Sequence, residues 1–368
     1  MYVLITGGAG FIGSHVADCL LRAGHSVRAL DNLCLQVHPD GCRPAYLDGQ
    51  VELIQGDVRD KRIVQKALKN TDAVIHLAAA VGVGQSMYEI DHYTDVNNRG
   101  TAVLLESVLR RPVERLVVAS SMSIYGEGLY QGSDGLFVED CERGVDQLRR
   151  GDWDMRDEAG RALDPAPTPE WKKPCLTSVY ALSKYDQERL CRMIGRTYDI
   201  PVAALRFFNV YGPRQALTNP YTGVLAIFAA RLLNNRPPLI FEDGRQRRDF
   251  VSVYDIAEAC RLALEKPEAA GQVFNIGSGR PFSINEVARK LARAINKEIE
   301  PEIIGRYRAG DIRHCYADIS RARDILGYRS RVWLDSGLEE LAEWLEGQHV
   351  QDHADKARAE LAARGLTL

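Results

Sequence analysis

The sequence predicts an α/β fold built around a doubly wound, mostly parallel sheet, with a smaller α/β region toward the C-terminus. Three observations carry this prediction. Short apolar runs alternate with segments of helical periodicity, the first run leads into a glycine-rich turn, and the pattern changes after Pro213. The 368 residues, 45% of them hydrophobic, suffice for a large core and about two structural units.

Composition and charge argue against several classes of protein. A formal net charge of −3 argues against nucleic-acid binding, because such proteins need a basic face to displace counterions. Met1 to Ile5 is too short for a signal peptide and no apolar run reaches about 18 residues, so we expect a cytoplasmic protein without membrane contact. The eight cysteines contain no C-x-x-C pair, which indicates neither a zinc site nor a disulfide framework.

The first predicted unit is a strand at residues 2–5, a glycine turn, and an amphipathic helix at residues 14–23. The turn has the spacing G-x-x-G-x-x-G at Gly7, Gly10 and Gly13. Gly7 permits a tight turn, Gly10 lets the backbone approach a pyrophosphate, and Gly13 allows close helix packing. Because the helix N-terminus adds partial positive charge, the unit predicts a dinucleotide-binding site of the Rossmann type.

A carboxylate follows the second predicted strand, residues 25–30. Asp31 lies 18 positions after Gly13, where its side chain can accept hydrogen bonds from the adenosine ribose hydroxyls. Its charge would repel a 2′-phosphate, which favours NAD over NADP, although Arg28 and Arg43 leave NADP open. A glycine turn that serves only packing is the weaker interpretation in this context.

Two further strands continue the alternation. Residues 51–55 precede Gly56-Asp57-Val58, and residues 73–77 precede Ala78 to Ala80. Small side chains after the fourth strand leave space for a flat ring and a ribose. Asp57 has two equally supported interpretations, a contact with the adenine amino group and a helix N-cap.

Ser121, Tyr180 and Lys184 form the candidate catalytic group. A strand at residues 115–119 ends in a serine-rich segment, and Tyr180 begins a helix. Positions four apart share a helix face, so Tyr180 and Lys184 can address one ligand. The ammonium of Lys184 and a positive nicotinamide would lower the pKa of Tyr180 and make it a usable base. Ser121 would hydrogen-bond the reacting hydroxyl of the substrate or share its proton with the tyrosine.

Several further motifs accompany this group. The full set is T-G-G-A-G-F-I-G at 6–13, H-L-A-A at 76–79, Asn97 with Gly100-Thr101, Ser120-Ser121, Y-A-L-S-K at 180–184, R-F-F-N-V-Y-G-P at 206–213 and R-D-F-V at 248–251. In these motifs the chain resembles the NAD-dependent sugar-nucleotide epimerase/dehydratase family of extended short-chain dehydrogenases/reductases. The nearest resemblance is to dTDP-L-rhamnose 4-epimerase-like and UDP-glucose 4-epimerase-like members. The match spans residues 1–345 and is more specific for fold and cofactor than for reaction type.

The resemblance implies roles for individual positions. The implied catalytic residues are Ser121, Tyr180 and Lys184. The implied NAD-binding residues are Gly7, Gly10, Phe11, Ile12, Gly13, Asp31, Asn32, Asp57, Val58, Leu77, Ala78, Ala79, Asn97, Tyr180 and Lys184, with Asn97 a structural polar group behind the site. The implied substrate-binding residues are Ser121, Ser123, Asn209, Val224, Arg248, Arg308 and Asp311.

Two departures from the family pattern narrow the reaction. Dehydratases of the family carry acidic residues after the catalytic serine or threonine, where this chain has Met122 and Ser123. Elimination of water would therefore lack its acid and base. Uronate epimerases carry an arginine in a G-V-R motif after the fourth strand, where this chain reads Gly82 to Gln85. A sugar carboxylate would lack its partner, so a neutral hexose or deoxyhexose is expected.

Beyond Pro213, residues 245–248 form a basic patch. Such a patch is ordinarily a solvated surface, but the resemblance places Arg248 near the substrate pyrophosphate, where a guanidinium can make bidentate contacts. It also matches Arg308 and Asp311 to a segment that closes over the phosphate and the nucleotide ribose. A nucleotide-binding segment begins at residue 219, and it leaves thymidine and uridine open.

The connection from Ser121 to Tyr180, 59 positions, is long for this family. It predicts an inserted surface lobe at residues 127–175, near the active-site mouth. Some dTDP-L-rhamnose 4-epimerase-like relatives carry a cysteine-rich, apparently metal-binding lobe there. This chain has only Cys141 and Cys175 in the segment, so no metal is predicted.

The predicted organisation has three parts. Residues 1–212 form the NAD-binding domain, to which residues 250–278 return. Residues 213–348 form the substrate-binding region, and residues 349–368 a tail helix without a chemical signal.

The resemblance also implies a two-fold homodimer, in which helices at residues 96–110 and 179–193 pair with their counterparts. The apolar positions that support this pairing are Val103, Leu104, Leu190 and Met193. The alternative is that these side chains only pack on the sheet.

The function expected from these features is epimerisation at C4 of a nucleoside-diphosphate sugar. Tyr180 takes the hydroxyl proton, hydride passes to NAD, the 4-keto sugar turns over, and hydride returns to its other face. The alternatives are a 4,6-dehydratase or decarboxylase on the same fold and, from a different class, a non-catalytic NAD-binding scaffold. Retention of Ser121, Tyr180 and Lys184 argues against the scaffold.

Overall fold

The computed structural model describes residues 1–139, 142–308, 310–348 and 350–367. Within them the strands are β1 (Tyr2–Thr6), β2 (Ser26–Asp31), β3 (Glu52–Gln55), β4 (Ala73–His76), β5 (Arg115–Ser121), β6 (Leu129–Gln131), β7 (Phe137–Val138), β8 (Asp164–Ala166), β9 (Val202–Phe207), β10 (Asn209–Tyr211), β11 (Leu239–Ile240), β12 (Arg247–Ser252), β13 (Val273–Ile276), β14 (Pro281–Ser283), β15 (Glu302–Ile303) and β16 (His314–Cys315). The α-helices are α1 (Phe11–Arg22), α2 (Lys61–Ala67), α3 (Val83–Ser86), α4 (Ile90–Tyr93), α5 (Gly100–Arg110), α6 (Val145–Arg149), α7 (Val179–Thr197), α8 (Val224–Leu233), α9 (Val253–Glu265), α10 (Ile284–Ala294), α11 (Leu334–Leu345) and α12 (Ala354–Ala363).

Seven strands form one sheet in the order β13-β9-β5-β4-β1-β2-β3, and every neighbouring pair is parallel. Parallel neighbours need crossover connections, which α1, α2, α5, α7 and α9 supply. The strand order reverses between β1 and β4, as in doubly wound folds. The predicted α/β fold class is confirmed.

Both faces of this sheet are buried, as the alternation along β1 shows. Val3 and Ile5 join one apolar cluster with Val16 of α1, whereas Leu4 joins a second with Leu104 of α5. A fully buried aliphatic side chain contributes about 1.5–3 kcal/mol to folding. Because Leu104 is 0% exposed within the protomer, its predicted place on a dimer face is wrong.

The turn between β1 and α1 depends on glycine at two positions. Gly7 has a φ of +71°, which L side chains rarely adopt. A Cβ on Gly13 would lie 2.2 Å from the carbonyl oxygen of Gly7, so the helix can approach the turn only without a side chain there. The helix begins at Phe11, three residues earlier than predicted, because Gly10 serves as its N-cap in an extended conformation. Its first N–H groups therefore lie directly beside the turn.

The longest described helix, α7, starts at a serine cap. Ser178 Oγ accepts a hydrogen bond from the Ala181 N–H at 3.1 Å, which satisfies one of the free donors of the first turn. Tyr180 follows on that first turn. None of the described helices, α7 included, combines the length and apolar character needed to cross a bilayer.

A second layer follows β10. Strand β12 pairs with β10, β14 and β16, and α8, α10 and α11 enclose a separate core that contains Phe228, Leu291 and Leu341. Strand β13 lies outside this layer and extends the first sheet beside β9. The division of the chain at residues 212 and 348 stays a prediction.

The inserted segment, residues 127–175, contains α6 and a three-stranded antiparallel sheet in the order β7-β6-β8. Cys141 is one of the two cysteines on which the prediction of no metal depends, and it lies outside the described residues. In the described part of the chain, no group of three or more His, Cys, Asp or Glu side chains is placed to hold a metal ion.

Candidate active site

A cavity of about 650 Å³ lies at the carboxyl ends of β1, β4 and β5 and extends toward α8 and β12. Ligands bind at this edge of doubly wound sheets, where the strand order reverses. Of the predicted site residues, all except Asn97 line the cavity. The structure therefore brings the glycine turn, the candidate catalytic group and the candidate substrate residues to one site.

Asn97 lies behind the cavity wall and is 0% exposed. Its Nδ2 donates to the carbonyl oxygen of Ala80 at 3.1 Å and to Ser183 Oγ at 2.9 Å, and its Oδ1 accepts from the Ala80 N–H at 2.7 Å. These bonds tie the loop after β4 to α7. Asn97 thus supports the cofactor side of the cavity without lining it.

Asp31 is held at the end of β2 by two backbone amides. Its carboxylate accepts from the Ala9 N–H at 3.1 Å and the Leu33 N–H at 2.9 Å. His38, which the sequence analysis missed, lies with its Nε2 4.0 Å from Asp31. Burial lowers the pKa of His38, so its imidazole is neutral and supplies no charge for a 2′-phosphate.

Arg28 and Arg43, the two arginines that could have bound the 2′-phosphate of NADP, bond other groups of the protein. Arg28 donates from Nε to Glu52 at 2.9 Å and from Nη1 to the carbonyl oxygen of Ala67 at 2.7 Å. Arg43 donates to the backbone carbonyl oxygens of Asp48 and Val51. Because neither arginine lines the cavity, the choice of NAD is strengthened.

Asp57 lines the cavity and is bonded to Arg59, whose Nε and Nη2 donate to its carboxylate at 2.8 and 2.7 Å. These hydrogen bonds lower the pKa of Asp57 to about 2. The carboxylate that caps α2 belongs to Asp60, which accepts from the N–H groups of Arg62 and Ile63. The N-cap interpretation of Asp57 is therefore wrong, and its place beside the adenine stays a prediction.

The candidate catalytic side chains come from two elements. Ser121 ends β5, while Tyr180 and Lys184 lie one turn apart on α7. The Tyr180 N–H donates to Ser86 Oγ at 3.0 Å. The backbone of the base candidate is thus tied to α3.

Burial raises the pKa of Tyr180, and the neighbouring Ser121 side chain lowers that pKa to a smaller extent. Burial also lowers the pKa of Lys184 to about 8. Lys184 Nζ donates to Gln187 Oε1 at 2.6 Å. The expectation that Lys184, together with a positive nicotinamide, lowers the pKa of Tyr180 stays a prediction.

Gln187 is a buried residue that the sequence analysis missed. Its Nε2 donates to Thr101 Oγ1 at 2.9 Å and lies 3.2 Å from His76 Nε2. Burial lowers the pKa of His76 to about 3, so the network behind Lys184 contains no second cation. The sequence signal that could have identified Gln187 is its position three residues after Lys184, one turn along α7.

On the substrate side, the arginines of the basic patch at residues 245–248 have different surroundings. Arg245 and Arg247 are exposed, as a solvated patch would be, whereas Arg248 lines the cavity. Arg248 donates to the backbone carbonyl oxygens of Ile312 and Arg313, which fixes its guanidinium against the following segment.

Arg308 and Asp311 also face the cavity, with Arg308 Nη2 2.7 Å from Asp311 Oδ1. Two buried amide oxygens in the cavity wall, Asn209 Oδ1 and Gln246 Oε1, have no hydrogen-bond partner among the described residues. Buried polar atoms are almost always paired, so these oxygens fit a wall that hydrogen-bonds a polar ligand.

The inserted lobe contacts this site from outside the cavity. None of its described residues lines the cavity, and the lobe packs against β16 and the segments beside it. Arg143 of the lobe donates from Nη2 to the carbonyl oxygen of Asp311, which lines the cavity, at 3.0 Å. The predicted position of the lobe near the active-site mouth stays a prediction.

The tail helix lies closer to the site than predicted. Ala354, Ala357, Arg358 and Leu361 of α12 line the cavity, although no chemical signal was assigned to this segment. A polar, alanine-rich tail gives no indication of where it docks, because its position depends on contacts with distant elements.

Comparison with known proteins agrees with this geometry. The model of the NAD dependent epimerase/dehydratase family matches residues 3–144 and 161–277. The chain belongs to this family. Membership confirms the predicted resemblance and the predicted use of NAD. The stretch between the matched ranges lies within the inserted lobe.

Several members of the family are similar to this chain over nearly the whole length of both proteins. A dTDP-L-rhamnose 4-epimerase of Burkholderia thailandensis is 36% identical over 347 residues, 93% of this chain and 94% of its own. The crystal structure of a Thermotoga maritima UDP-glucose 4-epimerase with UDP-glucose has a TM-score of 0.76 and 30% identity, and the match covers 94% of this chain and 99% of that one. A Bacillus cereus UDP-glucuronic acid 4-epimerase, in complex with UDP-glucuronic acid and NAD, has the same TM-score and coverage at 27% identity.

Proposed function

We propose that this protein is a nucleotide-sugar 4-epimerase that acts on a neutral hexose or deoxyhexose attached to a nucleoside diphosphate. The observation that carries the proposal is the position of Ser121, Tyr180 and Lys184 in one cavity, between the glycine turn and the Arg248 and Arg308 side. A dinucleotide fits the first side, where a side chain at position 7 or 13 would crowd the neighbouring backbone and glycine is present instead. A diphosphate fits the second side, which the guanidinium groups of Arg248 and Arg308 line.

Each candidate catalytic residue then has a task. Tyr180 accepts the proton of the C4 hydroxyl and returns a proton after the sugar has turned, while Ser121 hydrogen-bonds Tyr180 and the sugar oxygen. Lys184, anchored on Gln187, places positive charge one helical turn from the phenol. NAD, held by the glycine turn and Asp31, would supply the acceptor for the C4 hydride and its donor for return to the opposite face. Net redox change is zero.

The cavity favours epimerisation over elimination. Met122 and Ser123 follow Ser121 and line the cavity, at the positions where a dehydratase of the family has acids. The loop after β4 presents Gly82, Val83 and Gly84 to the cavity, without a guanidinium for a sugar carboxylate. Two of the relatives named above are named for neutral sugars, which agrees with this preference.

An isotope experiment tests the mechanism directly. Wild-type protein is incubated without added reductant with dTDP-L-rhamnose, UDP-glucose and UDP-galactose, each deuterated at C4. We expect one substrate to give its C4 epimer with deuterium still at C4, because the hydride leaves and returns within one site. Exchange of that carbon with solvent would assign enolate chemistry to Tyr180, and accumulation of a stable 4-keto product would indicate a dehydratase.

The exposed side of α7 supports a homodimer as part of the same proposal. Leu182 is 47% exposed and Met193 is 50% exposed, and their spacing of eleven residues places them on one face of the helix. A second copy of this face would bury both side chains about a two-fold axis.

For the dimer, Met193→Asp is expected to convert the protein to a monomer at micromolar concentration, since it places a charge in an apolar contact. Val145→Asp is the matched control, because Val145 is 51% exposed on the lobe, away from α7. Sedimentation equilibrium measures both masses. A monomeric wild type, or a dimer unaffected by Met193→Asp, would contradict this interface.

We place the reaction in the cytoplasm, as a further part of the proposal. Cys34 and Cys42 are exposed thiols near the cofactor side, and Cys191 and Cys260 are buried thiols in the core. A reducing compartment keeps such thiols unoxidised.

A further inference from the structure

The C-terminal strap, residues 350–367, consists mainly of α12 and forms one side of the cavity. Ala357 and Leu361 are buried against it, and Arg358 lines it from the next position on the same face. The Arg358 side chain is 44% exposed, and its nearest carboxylate, on Asp355, is 3.5 Å away between Nη2 and Oδ1. The strap thus brings a weakly paired cation to the cavity.

One anchor of the strap lies beside the first sheet. Tyr221 Oη donates to Glu360 Oε2 at 2.8 Å and accepts from Tyr88 Oη at 2.6 Å. A Cβ at Gly84 would lie only 3.3 Å from Leu361 Cδ2, so Leu361 already contacts the loop after β4. This end of the strap covers the part of the cavity beside the loop after β4.

A second anchor lies on the substrate side. Arg231 of α8 has its Nη1 3.3 Å from carboxylate oxygens of both Asp352 and Asp355. The side chains of Arg231 and Asp352 are only 5% and 3% exposed, so this ion pair is buried. An isolated bridge between Arg308 and Thr367 ties the last described residues to the other side. The strap therefore spans the cavity from α3 to α8.

We propose that the strap is a wall of the substrate site and that Arg358 binds the diphosphate of the nucleotide sugar. This inference rests on the proposed function. Asp352 and Asp355 already offset the charge of Arg231, whereas Arg358 has a single, loose partner. A guanidinium in a cavity that accepts a diphosphate gains charge-assisted hydrogen bonds when that ligand arrives.

The two anchors differ in how readily they release. Glu360 is 41% exposed, so its bond to Tyr221 is partly solvated and contributes little. Separation of the buried Arg231–Asp352 pair would leave uncompensated charges in the protein. The Arg231–Asp352 pair therefore holds the strap more firmly than the Glu360 contact does.

Full-length variants test the role of Arg358 with UDP, dTDP and uridine as probes, by calorimetry. Arg358→Met is expected to weaken UDP and dTDP about tenfold, the loss typical of one charge-assisted hydrogen bond, and to leave uridine unchanged. Arg358→Glu should weaken both diphosphates further, because it adds repulsion. Lys356→Met is the matched control, an exposed cation of α12 outside the cavity, and should bind all three probes like wild type.

Retained NAD is measured in every variant and should be unchanged. Equal loss of UDP and uridine in Arg358→Met, or no loss of either, overturns the diphosphate contact. The same holds if Lys356→Met weakens UDP as much as Arg358→Met does. Wild type that binds UDP and dTDP but epimerises no sugar nucleotide would contradict the proposed function and leave the strap standing.

Discussion

Tyr180→Phe is expected to lower kcat by about 10²–10⁴-fold, the usual contribution of general acid–base catalysis. The substitution removes the phenolic hydroxyl and keeps the ring in place against Tyr93, whose centroid is 6.5 Å away. Binding of NAD and of UDP should change little, because neither depends on the lost proton acceptor. Steady-state kinetics, with calorimetry for both ligands, measures this separation.

Tyr185→Phe is the matched control for this variant. Tyr185 lies on the same helix, stacks on Arg189 and does not line the cavity. Its activity should equal that of wild type. If Tyr180→Phe kept activity within about threefold of wild type, far above the range expected for a lost base, Tyr180 would have no part in the reaction.

Arg313→Met is expected to destabilise the protein by about 3–5 kcal/mol, the loss typical when one partner of a buried ion pair is removed. Arg313 is 1% exposed, and its guanidinium donates to Asp154 of the lobe, to Glu242 and to Asp243. Glu242 is 0% exposed, and among the described residues Arg143, at 2.7 Å, would be the cation that remains paired with it. Burial already raises the pKa of Glu242, so loss of a cation leaves its charge poorly compensated.

The control for Arg313→Met is Arg323→Met. Arg323 pairs with Asp324 at 2.8 Å, but both side chains are largely exposed, and such pairs contribute about 0–1 kcal/mol. Urea unfolding followed by fluorescence compares the midpoints. Similar midpoints for the two variants would show that the ion-pair network between the lobe, the segment after β11 and Arg313 does not hold the structure together.

The same network connects stability to the site. Arg143 bonds the carbonyl oxygen of Asp311, and Arg248 bonds those of Ile312 and Arg313. The segment at residues 311–313, which faces the proposed diphosphate, is therefore positioned by Arg143 from the inserted lobe and by Arg248 from β12. This gives the lobe a role in the site without a contact to the cavity.

Features that depend on neighbouring residues were predictable from the sequence. The glycine turn, Asp31 at the end of its strand and the pair Tyr180 and Lys184 follow from the geometry of one strand or one helix, whose periods are constant. The alternation of apolar runs with helical segments likewise predicts a parallel sheet, because parallel neighbours need long crossover connections, which are usually helices. Ser121 was predictable as well, because it ends a parallel strand and such strands end at the edge of the sheet where the ligand binds.

Other features depended on which distant segments meet. Asp57 and Asp60 both precede α2, and only the backbone conformation made Asp60 the cap. The partners Glu127 and Arg313 are 186 positions apart, and α12 reaches the cavity through Tyr221, 139 positions before Glu360. Local periodicity carries no information about such pairings, since they are selected by burial and charge compensation in the completed fold. The sequence by itself therefore determined the cofactor clamp and the catalytic group, whereas the tertiary structure decided what encloses the substrate.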